Sequence, residues 1–174
     1  MDGRRLVFLD ESGMSTNMAR RYGWGQRGER LVAAAPYGHW RSTTLVAGLR
    51  ASGLVAPFVV DGAMNGAMFR AYVEEMLAPR LRPGDVVGLD NLPVHKVAGV
   101  REAIRAVGAS VLYLPSYSPD LNPMEHALAK VKALLRKAGA RTQAALEQAI
   151  REALEAFSSE ECRNYLLNCG YEPV

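Results

Sequence analysis

Short apolar runs rich in β-branched residues recur along the chain and restrict it to an α/β architecture. Three of them come early. The first, "RRLVFLD", is predicted to be a short buried strand that ends at Asp10, and the next two strands are predicted at about 43–50 and 54–61. Two later runs, "DVVGLDN" and "SVLYLP", alternate with segments of helical period. This order indicates a mixed sheet with helices on its faces.

Five segments carry apolar residues at helical spacing. The first, "NGAMFRAYVEEMLAPRL", is predicted to end at Pro79, and the second, "HKVAGVREAIRAVGA", at Gly108. Three more helices are predicted at about 123–138, 142–157 and 159–168. The 174 residues suffice for one domain with a full core, so we expect residues 1–174 to form a single domain around a five-stranded sheet.

The composition narrows the functional classes. No apolar run approaches the ~18 residues that a membrane span needs, and the first residues make a poor signal peptide. Two cysteines, Cys162 and Cys169, are expected to be reduced thiols, which predicts a cytoplasmic protein. The pattern "GWGQRG" opens no apolar helix and no phosphate-binding loop motif is present, so we expect no nucleotide cofactor.

The net charge of +3 is unevenly distributed. Residues 20–50 hold six arginines and one acid, and residues 91–141 hold eight basic residues and three acids, whereas residues 142–174 are acidic. Seventeen of the 21 basic residues are arginine, which suits bidentate contact with phosphate. Two basic segments are compatible with nucleic-acid binding. The alternative is a coding sequence biased towards Arg and Ala.

Three acids stand out by position. Asp10 and Asp90 are predicted at the ends of strands, and Glu125 opens the helix after the fifth strand. Carboxylates brought together from three elements would make an oxygen-rich site that suits Mg²⁺ or Mn²⁺. Each acid also has a structural alternative. Asp10 could begin a turn, Asp90 could simply precede one, and Glu125 could complete a capping box with Asn122.

The segments around these acids resemble a known family. "FLDES", "LDNLPVHK" and "LPSYSPDLNPMEHALAKVK" are similar to the three catalytic blocks of DDE transposases, and specifically to the mariner-type insertion-sequence group, the IS six-thirty family. Thirty-four residues separate Asp90 from Glu125, the spacing that this resemblance leads one to expect. The likeness covers nearly the whole chain.

The resemblance implies a ribonuclease H-like fold in which Asp10, Asp90 and Glu125 bind two Mg²⁺ ions, with Mn²⁺ able to substitute. It implies cleavage of double-stranded DNA at transposon ends, followed by attack of the freed 3′-hydroxyl on target DNA, and a homodimer on DNA. The helix-turn-helix region that usually precedes such domains is not expected in this sequence. Two alternatives stay open: a ribonuclease H-like nuclease without strand transfer, and an inactive DNA-binding remnant.

Further residues are candidate DNA contacts. A Gly-rich basic loop follows the first strand, where an aromatic ring could stack on a base while arginines hold phosphate. Basic side chains also share the helical face of Glu125, and a His-Lys pair follows Asp90 closely. The alternatives are a packed Trp, a solvated helix face and a His that caps a helix. The candidates are Arg20, Arg21, Trp24, Arg27, His95, Lys96, Lys132 and Arg136.

Overall fold

A five-stranded mixed sheet lies at the centre of the protein. The computed structural model describes residues 3–34, 36–116 and 118–172. The strand order is β3-β2-β1-β4-β5; β1, β2 and β3 pair antiparallel, and β4 pairs parallel with both β1 and β5. The predicted mixed sheet is therefore confirmed. The strands are β1 (Leu6–Ser15), β2 (Ser42–Arg50), β3 (Gly53–Asp61), β4 (Val86–Leu89) and β5 (Ser110–Tyr113).

Helices cover both faces of this sheet. Side chains alternate along β1, so that Leu6 and Phe8 pack in one core with α3, α4 and α5, while Val7 and Leu9 pack in the other with α1 and α2. The alternation lets neighbouring residues of one strand serve two different layers. The helices are α1 (Gly66–Tyr72), α2 (Val100–Ala106), α3 (Pro123–Ala138), α4 (Gln143–Glu155) and α5 (Ser159–Asn168).

The prediction that the first strand ends at Asp10 is wrong, because β1 continues to Ser15. Its far half is held by β2 alone, in a register that reaches Ser15 opposite Ser42. The parallel partner β4 is shorter and pairs only with the segment from Leu6 to Phe8. The apolar run in the sequence therefore stops where β1 loses its second neighbour. Continuing that register brings Asp10 level with Asp90, which directly follows β4.

Two of the predicted helices are shorter than expected. After α1 the chain continues as a π-helical turn (Val73–Leu77) and a 3₁₀ turn (Ala78–Arg80). The segment after Asp90 forms a 3₁₀ turn (Pro93–Lys96), and α2 begins only after Gly99, whose φ of 98° is left-handed. The helices predicted at 123–138 and 159–168 have those bounds, and α4 is slightly shorter than predicted.

The described residues between β1 and β2, 16–34 and 36–41, form a long irregular segment without helix or strand. Several large apolar side chains in its described part are exposed, including Trp24 and Trp40.

Cys162 and Cys169 are both buried and form no disulfide. Across residues 3–34, 36–116 and 118–172, no helix combines the length and apolarity needed to cross a bilayer.

The close packing between β1 and β4 can be tested by substitution at Gly88. It lies opposite Phe8, and a Cβ placed on Gly88 would come within 2.6 Å of the Phe8 ring. We expect Gly88→Ala to lower the free energy of unfolding by about 1–3 kcal/mol, since the ring must shift. Chemical denaturation measures this effect. Gly13→Ala is the matched control on β1, because a Cβ there meets nothing within 4 Å; equal stability of the two variants would contradict the packing argument.

Candidate active site

Asp10 is a buried carboxylate in the middle of β1, with 7% of its surface exposed. Its Oδ1 accepts a hydrogen bond from the backbone N–H of Glu11 at 2.7 Å. Its Oδ2 accepts one from Nδ2 of Asn122 at 2.9 Å. Because both oxygens are held, the orientation of the carboxylate is fixed by the protein alone.

Asp90 follows β4 directly and is held from two sides. Its Oδ1 accepts a hydrogen bond from the N–H of Leu92 at 3.1 Å and also lies against Nδ1 of His95, a contact that lacks hydrogen-bond geometry. The other ring nitrogen of His95, Nε2, is 2.7 Å from Oε2 of Glu11. A fully buried imidazole therefore connects two acids, one from β1 and one from the end of β4.

These two acids favour a charged imidazole. Burial lowers the pKa of His95, but the hydrogen bond and charge of Glu11 and the charge of Asp90 outweigh that effect, so the pKa lies above its usual value. The ring also stacks near Phe69, with centroids 4.5 Å apart, and Tyr113 donates a hydrogen bond to its backbone oxygen. His95 is thus a fixed, buried ring beside Asp90, and both neighbouring acids favour its protonated form.

Glu125 lies in the first turn of α3 with an exposed side chain. Asn122 is the N-cap, and its Oδ1 accepts from the N–H of Met124 at 3.1 Å. The backbone N–H of Asn122 bonds to Pro119 O, where a capping box would need the Glu125 carboxylate. Within the described residues the Glu125 side chain makes no hydrogen bond. The capping-box alternative is therefore not what the structure adopts, and this carboxylate is free to serve the site.

The two prolines of "SPDLNPME" explain this placement. Pro119 begins a 3₁₀ turn (Pro119–Leu121), and Pro123 is the first residue of α3, where its missing N–H is tolerated. Tyr171 donates to Leu121 O at 2.9 Å and its ring packs against Phe8, 4.7 Å between centroids. The turn that precedes Glu125 is thereby fixed to the sheet.

The charges of the three predicted acids meet at this point. Burial raises the pKa of Asp10 to about 7; the N–H of Glu11 opposes the rise, and the negative charges of Glu125, Asp90 and Glu11 add to it. Asp90 and Glu125 line the same open cavity of about 320 Å³, which we call the acidic cavity. Its other lining residues are Asn91, Leu92, Leu114, Pro115, Ser116, Ser118, Pro119 and Asn122.

The donor chemistry of this cluster fits a hard divalent cation. Carboxylate oxygens are the ligands that Mg²⁺ prefers, and a cation would relieve the repulsion that raises the pKa of Asp10. Among the residues that the structure describes, no three acidic, His or Cys side chains already surround a common point. Closure around an ion would therefore require side-chain movement, for which the exposed and unbonded Glu125 has the freedom.

Four of the predicted DNA contacts come together beside this cluster. Arg20 and Arg21, from the irregular segment after β1, line one cavity of about 500 Å³ with Lys132 and Arg136 of α3. We call it the basic cavity. Gly13 and Ser15 of β1 complete its floor, so it continues from the strand that carries Asp10. The predicted shared face of α3 thus has a counterpart on the loop.

Of the four remaining predicted contacts, three are exposed and one is buried. Trp24 and Arg27 are exposed on the irregular segment and do not line the basic cavity. Lys96 is exposed and lies 5.6 Å from the ring centre of Tyr113. His95 requires a correction: as its side chain is fully buried between Glu11 and Asp90, it does not offer a direct DNA contact in this conformation.

Sequence reasoning missed four residues of this region. Glu11 pairs with His95. Tyr113 donates a hydrogen bond to the backbone oxygen of His95, and its ring lies near Lys96 and Arg101. The sequence predicts Asn122 only as a helix cap, whereas its amide also bonds Asp10. Arg101 lies 5.4 Å from the Tyr113 ring centre and, with Lys96, lines a further cavity of about 460 Å³, the side cavity. Asn91 lines both this and the acidic cavity. The "DES" motif could have indicated Glu11, since it adjoins Asp10.

A sequence profile described as "DDE superfamily endonuclease" matches residues 5–147. The chain belongs to the DDE superfamily of endonucleases. The family predicted from the three sequence blocks is thereby confirmed, and with it the assignment to an enzyme family. A comparison with the curated proteins finds no match.

Solved structures of Mos1 transposase share the fold. The Mos1 strand transfer complex superposes with a TM-score of 0.73 at 22% identity, covering 98% of this chain and 52% of that one. The mariner Mos1 paired-end complex with Mg gives 0.72 at 22% identity, covering 97% and 52%. The Mos1 transposase catalytic domain with Raltegravir and Mn gives 0.69 at 19% identity, covering 98% and 78%.

This DDE-family chain spans about half the length of the Mos1 chains in the DNA complexes. The part it shares with them contains the five-stranded sheet and the flanking helices. The ribonuclease H-like, mariner-type fold predicted from the sequence is confirmed.

The raised pKa of Asp10 predicts a pH-dependent stability. Without divalent cations, parent stability should fall from about pH 4 to pH 7, because the folded state holds the Asp10 proton more tightly than the unfolded chain. At pH 8 we expect Asp10→Asn to be more stable than the parent by about 1–3 kcal/mol, measured by chemical denaturation. This difference in the free energy of unfolding between Asp10→Asn and the parent should vanish towards pH 4.

The control for this prediction is Asp61→Asn, the same change at an exposed acid at the end of β3. It should leave the stability nearly unchanged at both pH values. A parent that is as stable as Asp10→Asn at pH 8 would show that the burial of Asp10 carries no such penalty.

Proposed function

We propose that this chain is the catalytic domain of a transposase that cleaves DNA at transposon ends and transfers the 3′-hydroxyl ends into target DNA, using divalent metal. The observation that carries the proposal is the meeting of Asp10, Asp90 and Glu125, whose charges act on one another at the edge of the sheet. The Mos1 structures with the same fold include a strand transfer complex and paired-end complexes with Mg and with Mn.

We propose that Mg²⁺ is the natural cofactor and that each site binds two ions. Mn²⁺ can substitute for Mg²⁺ in experiments. When bound, such ions supply an activated water and neutralise the charge that develops on the phosphoryl oxygens. Asp10, Asp90 and Glu125 would hold them. Asp10 is fixed by its two hydrogen bonds and Asp90 by Leu92 N–H and His95, whereas Glu125 can adjust.

Both reactions exchange one P–O bond for another. In cleavage, the oxygen of a water bonds to phosphorus while the P–O3′ bond breaks, and the 3′-oxygen leaves as a hydroxyl. In strand transfer, that 3′-hydroxyl bonds to a target phosphorus and displaces the target 3′-oxygen. The same carboxylates can serve both steps, since the protein contributes mainly positioning and electrostatic stabilisation.

The cations beside the acids define a path for the DNA backbone. The basic cavity offers Arg20, Arg21, Lys132 and Arg136 on one side of the acidic cavity. The side cavity, reached past Asn91, offers Lys96 and Arg101. Phosphates held on both sides would keep the scissile phosphate over the carboxylates. Trp24 and Arg27 stay candidate contacts on the exposed segment.

We further propose that the protein acts on paired transposon ends as a homodimer and works in the cytoplasm, at the nucleoid. The Mos1 paired-end complexes support the first point, because pairing two ends brings two catalytic domains together. Two buried cysteines without a disulfide support a reducing compartment.

Loss of a single carboxylate should abolish DNA cleavage. With Mg²⁺ or Mn²⁺ and duplex DNA carrying a transposon end, the parent should nick, and Asp90→Asn and Glu125→Gln should each lose about two orders of magnitude or more in rate, since even partners of metal ligands are worth 10–100-fold. Glu155→Gln, the same change at an exposed position of α4, should nick like the parent.

Nicking by Asp90→Asn at the parental rate would assign the activity to another group. Joined products from a pre-cleaved 3′-hydroxyl end support the transposase. A parent that only hydrolyses DNA would instead favour a ribonuclease H-like nuclease, and binding without cleavage in either metal would favour an inactive remnant.

The two cationic cavities should contribute separately to DNA affinity. We expect Lys132→Ala/Arg136→Ala and Arg101→Ala to weaken binding to any duplex, because each removes phosphate contacts. Each lost contact should reduce the slope of log K against log salt by about 1. Fluorescence anisotropy at several salt concentrations measures both quantities. Arg151→Ala on α4, away from all three cavities, is the control; a parental salt slope in Arg101→Ala would exclude the side cavity from the path.

A further inference from the structure

The side chain of Asn122 bonds both the start of α3 and Asp10. It is buried, with 4% of its surface exposed, and both ends of its amide are used. Oδ1 accepts from the N–H of Met124 at 3.1 Å, and Nδ2 donates to Oδ2 of Asp10 at 2.9 Å. Asp10 lies 112 residues away along the chain, so this bond joins the beginning of the sheet to the beginning of α3.

Helix capping alone does not require an asparagine here. Ser, Thr and Asp cap helices about as well, and this chain uses Thr142 for α4 and Ser158 for α5. The amide of Asn carries its acceptor and its donor on two separate atoms, so it can serve the helix with one and a carboxylate with the other. An Asp at position 122 would set two carboxylates against each other, and a Ser has one short hydroxyl for two partners.

The two bonds of Asn122 together restrict how α3 can move. Its backbone N–H is tied to Pro119 O, and its carbonyl accepts from the N–H of Glu125 at 3.1 Å. If α3 slid or rotated, either the cap or the bond to Asp10 would break. The position of the Glu125 backbone relative to Asp10 is therefore set through one side chain.

We infer that Asn122 is a positioning residue of the active site, which fixes the Asp10 carboxylate and holds the start of α3 at the distance that Glu125 needs. The inference rests on the proposed function, and it assigns a role to a residue whose amide is already bonded to α3 and to Asp10. The Nδ2 donor of Asn122 also orients the Asp10 carboxylate. Because this amide is neutral, it does not compete with a metal cation as a basic side chain would.

The test compares variants that keep an acceptor for the cap but lose the amide N–H donor that reaches Asp10. Asn122→Ser and Asn122→Asp both retain an acceptor for Met124 N–H, and the Asp variant also retains the shape. Asn65→Ser and Asn65→Asp make the same changes at the N-cap of α1, where the Asn65 side chain accepts from Met68 N–H and, among the described residues, bonds no carboxylate. Three quantities are measured for each protein: melting temperature, Mn²⁺ binding by electron paramagnetic resonance, and nicking rate as a function of Mn²⁺ and of DNA.

We expect Asn122→Ser to need at least several-fold more Mn²⁺ for half-maximal binding and nicking, and both Asn122 variants to lose about tenfold or more in rate at saturating DNA, as for partners of metal ligands. Asn122→Asp adds a carboxylate that itself attracts Mn²⁺, so its rate is the quantity that reports on positioning. The Kd for DNA should stay parental, because the cationic cavities are unchanged. The Asn65 variants should match the parent in Mn²⁺ affinity and rate, with a melting temperature lowered as any altered cap would lower it.

The outcomes separate this role from the proposed function. If the parent binds Mn²⁺ and nicks DNA, and either folded Asn122 variant matches it in Mn²⁺ affinity and rate, the positioning role is overturned while the proposed function stands. If the parent neither binds Mn²⁺ nor nicks, the proposed function fails and the positioning role fails with it. A melting temperature close to that of the matched Asn65 variant shows that a loss of activity is not a loss of the fold.

Discussion

The structure depends most on the burial of one carboxylate in the middle of a central strand. Asp10 has no Lys or Arg partner among the described residues; a backbone N–H and the Asn122 amide are its donors. Neutral donors offset only part of the desolvation of a charged group. Three further acids raise the electrostatic cost. The fold maintains this unfavourable arrangement because β1 pairs with β2 along its length and with β4 up to Phe8, and because both helical layers pack against it.

The register of β1 distributes the polar groups around that carboxylate. Because side chains alternate, Asp10 faces the layer of α3 and Glu11 faces the layer of α1 and α2. Asn122 and Glu125 therefore approach from one face, and His95 approaches from the other. Asp90 lies between them, at the end of the parallel neighbour of β1. One strand thus organises a site that draws on both layers.

The sequence predicted the elements and the acids better than it predicted what holds them. Apolar runs and helical spacing are local signals, so α3, α5 and the strands β2 and β3 lie where expected. The true end of β1 was missed because it depends on pairing with β2, which no local pattern records. The partners of His95 were missed for the same reason, since Glu11 is 84 residues away. A buried histidine cannot be distinguished from an exposed one in the sequence. Three acids at the predicted ends of elements, in contrast, form a recognisable pattern.

Three other acids of the chain show how a Lys or Arg can neutralise a carboxylate. Asp85 is paired with Arg50, Glu161 with Lys130 and Glu74 with Arg70. In the described ranges no Lys or Arg pairs with Asp10, Asp90 or Glu125, although cations line the two neighbouring cavities; the buried ring of His95 contacts Asp90 and Glu11 instead. A Lys or Arg in contact would neutralise the carboxylates and occupy the oxygens that a metal needs. The separation keeps the acids available for a divalent cation and leaves the cations available for phosphate, so the two halves of a phosphoryl-transfer site remain adjacent without cancelling each other.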